Sequence, residues 1–228
     1  MIKFVRIASF LLAAVITVLS IFFIDADQEL AQAQSAYRSG DMDQTLRKAR
    51  RANRAFSKDE KKVIAYYVQA RAASKMEWTE KAKDYLDELL SLNPNHISGL
   101  LFRGEISLQL GRNENALSDL DKGITQAAGN INPNELAFAL SKRGLAHLAL
   151  NQTDKAEKDA KNALQLSTSL PEAHDLMSRV YEEKGDYKKA LEECEQAYAL
   201  LINKDRYSFL KSEGQQPVSY THLTLPTN

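Results

Sequence analysis

The chain has 228 residues, 44% of them hydrophobic and 26% charged, with thirty basic side chains against thirty acidic ones. That composition belongs to a folded protein, and the charge balance excludes a general electrostatic attraction to nucleic acid. A single cysteine, Cys194, excludes an internal disulfide and most thiolate metal sites, while nine glycines and five prolines leave room for long helices.

The chain opens with Lys3 and Arg6, then an uncharged apolar run over 7–24, then Asp25, Asp27 and Glu29. Eighteen helical residues span about 27 Å, near the hydrocarbon thickness of a bilayer. Residues 1–25 are therefore read as a signal anchor, a single transmembrane helix. Basic residues before the run and acidic ones after it place the rest of the chain outside the cytoplasm. The expected location is a bacterial inner membrane with the remainder facing the periplasm. The alternative is a soluble periplasmic or secreted protein after signal cleavage, since Ala31-Gln32-Ala33 has the small-x-small form of a cleavage site.

From residue 26 onward the sequence repeats. Units of about 34 residues begin at Ala26, Val63, Ile97, Ala137 and Pro171, giving 26–62, 63–96, 97–136, 137–170 and 171–204. The third carries six extra residues at its end. At the eighth, twentieth and twenty-seventh positions of the five units, thirteen of fifteen residues are Ala, Gly or Ser. Small side chains recurring at fixed spacing mark the places where neighbouring helices approach most closely. The turn between the two helices of each unit falls at Gly40, Glu77, Gly111, Asn151 and Gly185, and four of these are the Gly or Asn that a left-handed helix end favours. The pattern predicts ten helices near 27–39, 42–56, 60–75, 78–91, 95–110, 113–127, 133–150, 153–167, 171–184 and 187–203. Residues 205–216 read as the start of a cap or of a sixth unit.

The end of the chain differs. Val218-Ser-Tyr-Thr-His-Leu-Thr-Leu-Pro-Thr227 has no charge and no helical periodicity. It back-translates as GTC TCT TAT ACA CAT CTG ACG CTG CCG ACG, which resembles a transposon adapter used in sequencing libraries, read through in frame. Residues 217–228 are accordingly expected to be non-native.

Ser178, Tyr181, Ala190 and Ala197 in the last unit, with their counterparts 34 residues earlier, resemble the tetratricopeptide repeat (TPR) family over about residues 26–204. The resemblance implies an all-α fold: a right-handed superhelical solenoid of about five helix hairpins, here preceded by one transmembrane helix. It also implies a concave face lined by the first helix of each hairpin. Peptide-binding members use positions two, five, nine, twelve and thirteen of each unit. Carried onto this chain, those positions form an apolar strip of Tyr37, Ile64, Tyr67, Leu101, Leu108, Phe138, Leu145 and Leu148. Charge follows at Glu172, Asp175, Arg179, Glu182 and Glu183. The Lys and Asn clamp by which some members hold a carboxylate terminus is absent.

A basic run, Arg47, Lys48, Arg50, Arg51 and Arg54, falls on a helix whose apolar stripe is Leu46, Ala49, Ala52 and Phe56, so the cations face outward. It reads as a solvated face or as a contact with anionic lipid near the anchor. Catalytic patterns are missing: there is no glycine-rich phosphate loop, no His-Glu-x-x-His and no Gly-x-Ser-x-Gly. His174 and Cys194 fall where both would pack in the core across one hairpin. No catalytic residue, metal site or cofactor is expected, and nucleic acid is not an expected partner.

The sequence thus points to a membrane-anchored adaptor that binds a helix or extended segment of another protein. Two readings stand beside it: the recognition domain of a longer enzyme, and a subunit that self-associates into a homo-oligomer.

Overall fold

The computed structural model describes residues 25–127, 129 and 131–212, with side chains described as far as residue 202. The proposed anchor over 1–24 and the adapter-like tail lie outside the described residues. Among those described, every regular element is a helix, and none is long and apolar enough to cross a membrane.

The described residues hold ten helices, each within a few residues of its expected start: α1 (Ala26–Ser39), α2 (Met42–Ala55), α3 (Asp59–Lys75), α4 (Thr79–Leu92), α5 (Ile97–Gln109), α6 (Asn113–Ala127), α7 (Pro133–Ala149), α8 (Thr153–Leu166), α9 (Pro171–Glu183) and α10 (Tyr187–Ser212). The last differs most from expectation, running on to Ser212 without a break.

Local chemistry explains where they begin and end. Asp25 accepts from the backbone N–H groups of Asp27 and Gln28, both at 3.1 Å, and Asp41 accepts from Gln44 at 2.8 Å, satisfying donors that a helix start leaves open. Pro133 and Pro171 occupy first-turn positions, where a missing N–H costs nothing. At the hairpin bends Gly40, Glu77, Gly111, Asn151 and Gly185 all have positive φ, between 57° and 84°. The backbone must reverse there within two or three residues, and only a left-handed residue returns the open carbonyls to N–H partners.

The chain forms two compact units, one ending at Ala127 and the other following it. In the first, α1–α2, α3–α4 and α5–α6 are antiparallel hairpins stacked in order. One core joins α1, α2 and α3 through Leu30, Ala33, Ala49, Ala52, Phe56, Ala65 and Val68. A larger one joins α3, α4 and α5 through Val63, Ala70, Ala73, Leu86, Leu89, Leu90, Leu100 and Ile106. The second unit holds the hairpins α7–α8 and α9–α10. Ala156 and Ala160 of α8 pack there on Leu176, Met177 and Val180 of α9. Each fully buried Leu or Ile in these seams contributes about 1.5–3 kcal/mol.

The small-residue slots sit where helices meet. Ala33, Ala70, Ala82, Ala116, Ala156 and Ala163 have no accessible surface. A Cβ on Gly104 would lie 2.6 Å from Leu120, and one on Gly144 would collide with Leu176 of the next hairpin. A methyl group at either place would have to push the facing leucine side chain aside, so a residue without a side chain suits these close approaches.

Candidate partner-binding faces

In the first unit, α1 also touches α3, so first helices share one face. On α3, Ile64, Tyr67 and Arg71 follow at three- and four-residue spacing and project to the same side. Ile64 is the open member, with 46% of its surface accessible. Tyr37 on α1 is half-buried, and the Arg71 guanidinium lies 4.6 Å from its ring centre. Such a cation–ring contact fixes both side chains and leaves the guanidinium edge able to donate. Tyr67 is more enclosed. Its ring meets His96 at 5.9 Å and Phe102 edge-on at 6.1 Å, and it packs against the α3–α5 core. Leu101 and Leu108 on α5 are half-buried, and Leu101 fills the space over Gly123 of α6.

The second unit has its own face on α7. Phe138 is half-buried beneath the Lys142 ammonium, 4.6 Å from the ring centre. Leu145 and Leu148 are half-buried and pack on the α8–α9 cluster. The strip read from the sequence is therefore two kinds of residue. Tyr37, Ile64 and Phe138 offer surface, whereas Tyr67, Leu101, Leu145 and Leu148 also hold helices together. Of the charged positions that follow, Arg179 pairs with Asp175 at 3.0 Å.

The cations of α2 divide in the same way. Lys48 pairs with Glu29 at 3.2 Å, and Arg51 lies 3.9 Å from the same carboxylate. Arg50 donates to the Tyr85 hydroxyl at 2.6 Å, tying the first hairpin to the second. Arg47 and Arg54 are exposed and pair with no described residue. Two of the five cations are thus open to an external anion.

The three described histidines each hold structural contacts. His96 caps α5, its Nδ1 accepting from Gly99 N–H at 3.0 Å, and burial lowers its pKa below the ordinary value. His147 is buried, with Nδ1 2.9 Å from the Gln152 side-chain oxygen. The expected core meeting of His174 and Cys194 does not occur. Cys194 is exposed on the outer side of α10, and His174 instead engages Glu193 at 2.7 Å and the Thr168 carbonyl at 3.0 Å. Their shared hairpin made a contact plausible, but Glu193 is the residue turned toward α9. No group of three or more His, Cys, Asp or Glu suited to a metal exists among the described residues.

Sequence reasoning overlooked one recurrent device. Arg103 on α5 holds Asp119 on α6 through two bonds of 2.6 and 2.7 Å, and adds Asp87 of α4 at 2.9 Å. Arg143 on α7 holds Asp159 on α8 with bonds of 2.8 and 2.6 Å. The hydrogen bond to Asp119 raises the Arg103 pKa. A forked guanidinium matches a carboxylate in this paired way and locks the rotation of one helix on the other. The signal was present as Arg and Asp sixteen residues apart at equivalent places in two successive units.

Stacked antiparallel hairpins with small residues at the seams and left-handed bends define a helical-hairpin repeat protein. Tetratricopeptide-repeat family profiles match residues 63–96 and 141–204, and the chain carries tetratricopeptide repeats. No curated protein sequence matches it. Among solved structures it is similar to MamA (residue 41 to the end) from Desulfovibrio magneticus RS-1, at 22% identity and a TM-score of 0.66, over 80% of this chain and 99% of that one. It also resembles a chain of the APC/C hetero-tetramer Cut9–Hcn1, at 19% identity and a TM-score of 0.68, over 84% of this chain and 36% of that one. PilF of Pseudomonas aeruginosa is similar at 17% identity and a TM-score of 0.62, over 78% of this chain and 75% of that one. At these identities the likeness is one of fold.

Proposed function

We propose that this chain is a protein-interaction adaptor that presents first-helix faces to a helix or extended segment of another protein. The observation that carries the reading is the α1–α3 face. Ile64 stands open on α3, with the Tyr67 ring one turn further along and the Arg71–Tyr37 stack about two turns along, an apolar anchor point on the same face as a donor that is already oriented. Aromatic and Arg side chains around a central aliphatic are the composition of interface hot spots. Phe138 with Lys142 offers a smaller version on α7. Neither face has the nucleophile, base and oxyanion donors of a catalytic site.

The adaptor is further proposed to be held at a bacterial inner membrane by segment 7–24, with its repeats in the periplasm. Lys3 and Arg6 before the run and the acidic residues after it support that orientation. Arg47 and Arg54, on the second helix after the anchor, would then face anionic lipid.

A photo-activated cross-linking residue at position 64 tests the partner face, with the same residue at Glu114 on α6 as the comparison. A discrete adduct from position 64 in intact membranes, absent from position 114, is the expected result. Equal labelling from both would overturn the face. Topology is read separately: a reporter active only in the periplasm, fused after Asn203, is expected to be active, and activity of a cytoplasmic reporter there would overturn the placement.

A further inference from the structure

Helix α10 carries an apolar stripe on the side turned away from α9. Tyr187 is 72% accessible, Leu191 60%, Tyr198 66%, Leu201 49% and Ile202 43%, and exposed Cys194 completes the row. Successive members are three or four residues apart, which is the seam of a helix that pairs with another. Ala190 and Ala197, on the inner side, are the residues that meet α9. The corresponding seam positions of earlier hairpins are covered. Leu46 and Ala49 of α2 lie under α3, Leu86 and Leu90 of α4 under α5, and Ala160 of α8 under α9. A helix is therefore what this position in the repeat receives.

We propose that α10 is a self-association surface, pairing antiparallel with α10 of a second copy of this chain. Three observations select that occupant. The stripe is apolar and two-fold compatible, so one surface can serve both copies. The outward residues of α1, including Gln28, Ala31, Gln32 and Ser35, are small or polar, so a head-to-tail joint would bury the stripe against an unsuitable face. Charge then fixes the direction. Lys188 and Glu195 flank the stripe on one side, seven residues apart and both exposed, and Lys188 also feels the Asp186 carboxylate at the helix start. Antiparallel pairing with Leu191 against Cys194 of the second copy sets Tyr187 against Tyr198 and Lys188 near Glu195, twice by symmetry. Parallel pairing about a two-fold axis would put the two Lys188 side chains, and likewise the two Glu195 side chains, on opposite edges of the seam and pair neither charge. The open side chains supply about 500 Å² of apolar surface per copy and about 1,000 Å² per pair, the size of a weak, reversible interface.

Cys194 is the sole cysteine of the chain, so a thiol cross-link reports one place. The full chain in detergent is expected to show twice the mass of one chain and to yield a covalent dimer with a short bismaleimide. Leu201→Cys in a Cys194→Ser background is expected not to cross-link, because antiparallel pairing separates the two thiols by about 25 Å along the axis. Lys188→Glu should weaken the dimer at least about tenfold, and adding Glu195→Lys should restore it. Both side chains are exposed and Lys188 has only the Asp186 charge nearby, so unchanged circular dichroism and thermal unfolding of the variants are expected and separate dimer loss from misfolding. A chain that stays monomeric at high concentration, a dimer indifferent to Lys188→Glu, or efficient cross-linking at position 201 would each overturn the pairing. The photo-cross-linking at position 64 reads a different face, so either idea can fail alone.

Discussion

The fourth and fifth hairpins are built on the same repeat and lie in the same unit, yet their second helices live in different surroundings. Helix α8 is covered on two sides: Ala156 and Ala160 are sealed against α9, and Asp159 is buried in its pair with Arg143. Helix α10 has equivalent positions at Ala190, Cys194 and Glu193, but only its inner side is covered, and large apolar residues stand in the open beside it. In a repeat protein the burial of a helix is supplied by its neighbour, so identical slots differ in energy according to what stacks next.

The sharpest way to break that comparison is to remove the acidic residue from each hairpin. Asp159→Ala removes the buried carboxylate that accepts both bonds of the Arg143 fork and should cost about 2 kcal/mol. Glu193→Ala, at the same repeat position but more exposed, should cost less than about 1 kcal/mol. Chemical denaturation of the two variants measures both, and equal losses would erase the distinction between the hairpins.

Overpacking gives the next largest effect. Ala156→Leu forces a side chain into the closed α7–α8–α9 seam and should destabilise by about 1–3 kcal/mol. Ala190→Leu presses on α9 alone, with no further described helix packed across α10, so the hairpin can open slightly and the change should cost about 1 kcal/mol. Thermal unfolding under matched conditions compares them.

The bends make a finer test. Gly185 has φ +75°, so Gly185→Ala should cost about 1 kcal/mol, whereas Asn151, at φ 57°, should accept glycine with a change of a few tenths of a kcal/mol. A loss at Asn151 equal to that at Gly185 would mean that its side chain matters more than its backbone.

The smallest effect concerns the joints that precede first helices. Leu170 gives α9 no side-chain cap, while His96 caps α5 as a neutral acceptor whose pKa is lowered by burial. Protonation is easier in the unfolded chain, so this contribution is complete above the ordinary histidine value near 6.5. It is lost as pH falls from there toward the lowered folded value. The slope of stability against pH just below 6.5 should flatten in His96→Asn, which caps without titrating. An unchanged slope would remove His96 as its source.

Much of the architecture was legible in residues 26–202 because it depends on local rules. All five bend residues adopt the left-handed backbone, including Glu77, whose side chain gives no preference for it; the repeat position alone indicated the turn. Gly104 and Gly144 stand where a Cβ would press on Leu120 and Leu176, as their place in the pattern leads one to expect. The faces were less legible. Leu101, Leu145 and Leu148 fall at positions read as groove lining, but a side chain at such a position can lean into a seam as readily as away from it. Which it does depends on the size of the residue opposite, here Gly123 for Leu101. Cys194 was misplaced for a related reason: its slot is a core slot only when a further helix covers it.

By itself, then, the amino-acid order determined the helices, their bends and their closest approaches, since capping, left-handed turns and small-residue spacing act within one or two neighbouring segments. The tertiary structure alone decided which equivalent residues are sealed and which are open, and it joined Arg103 to Asp119 and Arg143 to Asp159. Burial and ion pairing depend on what lies across a helix interface, and no single segment carries that information about its neighbour.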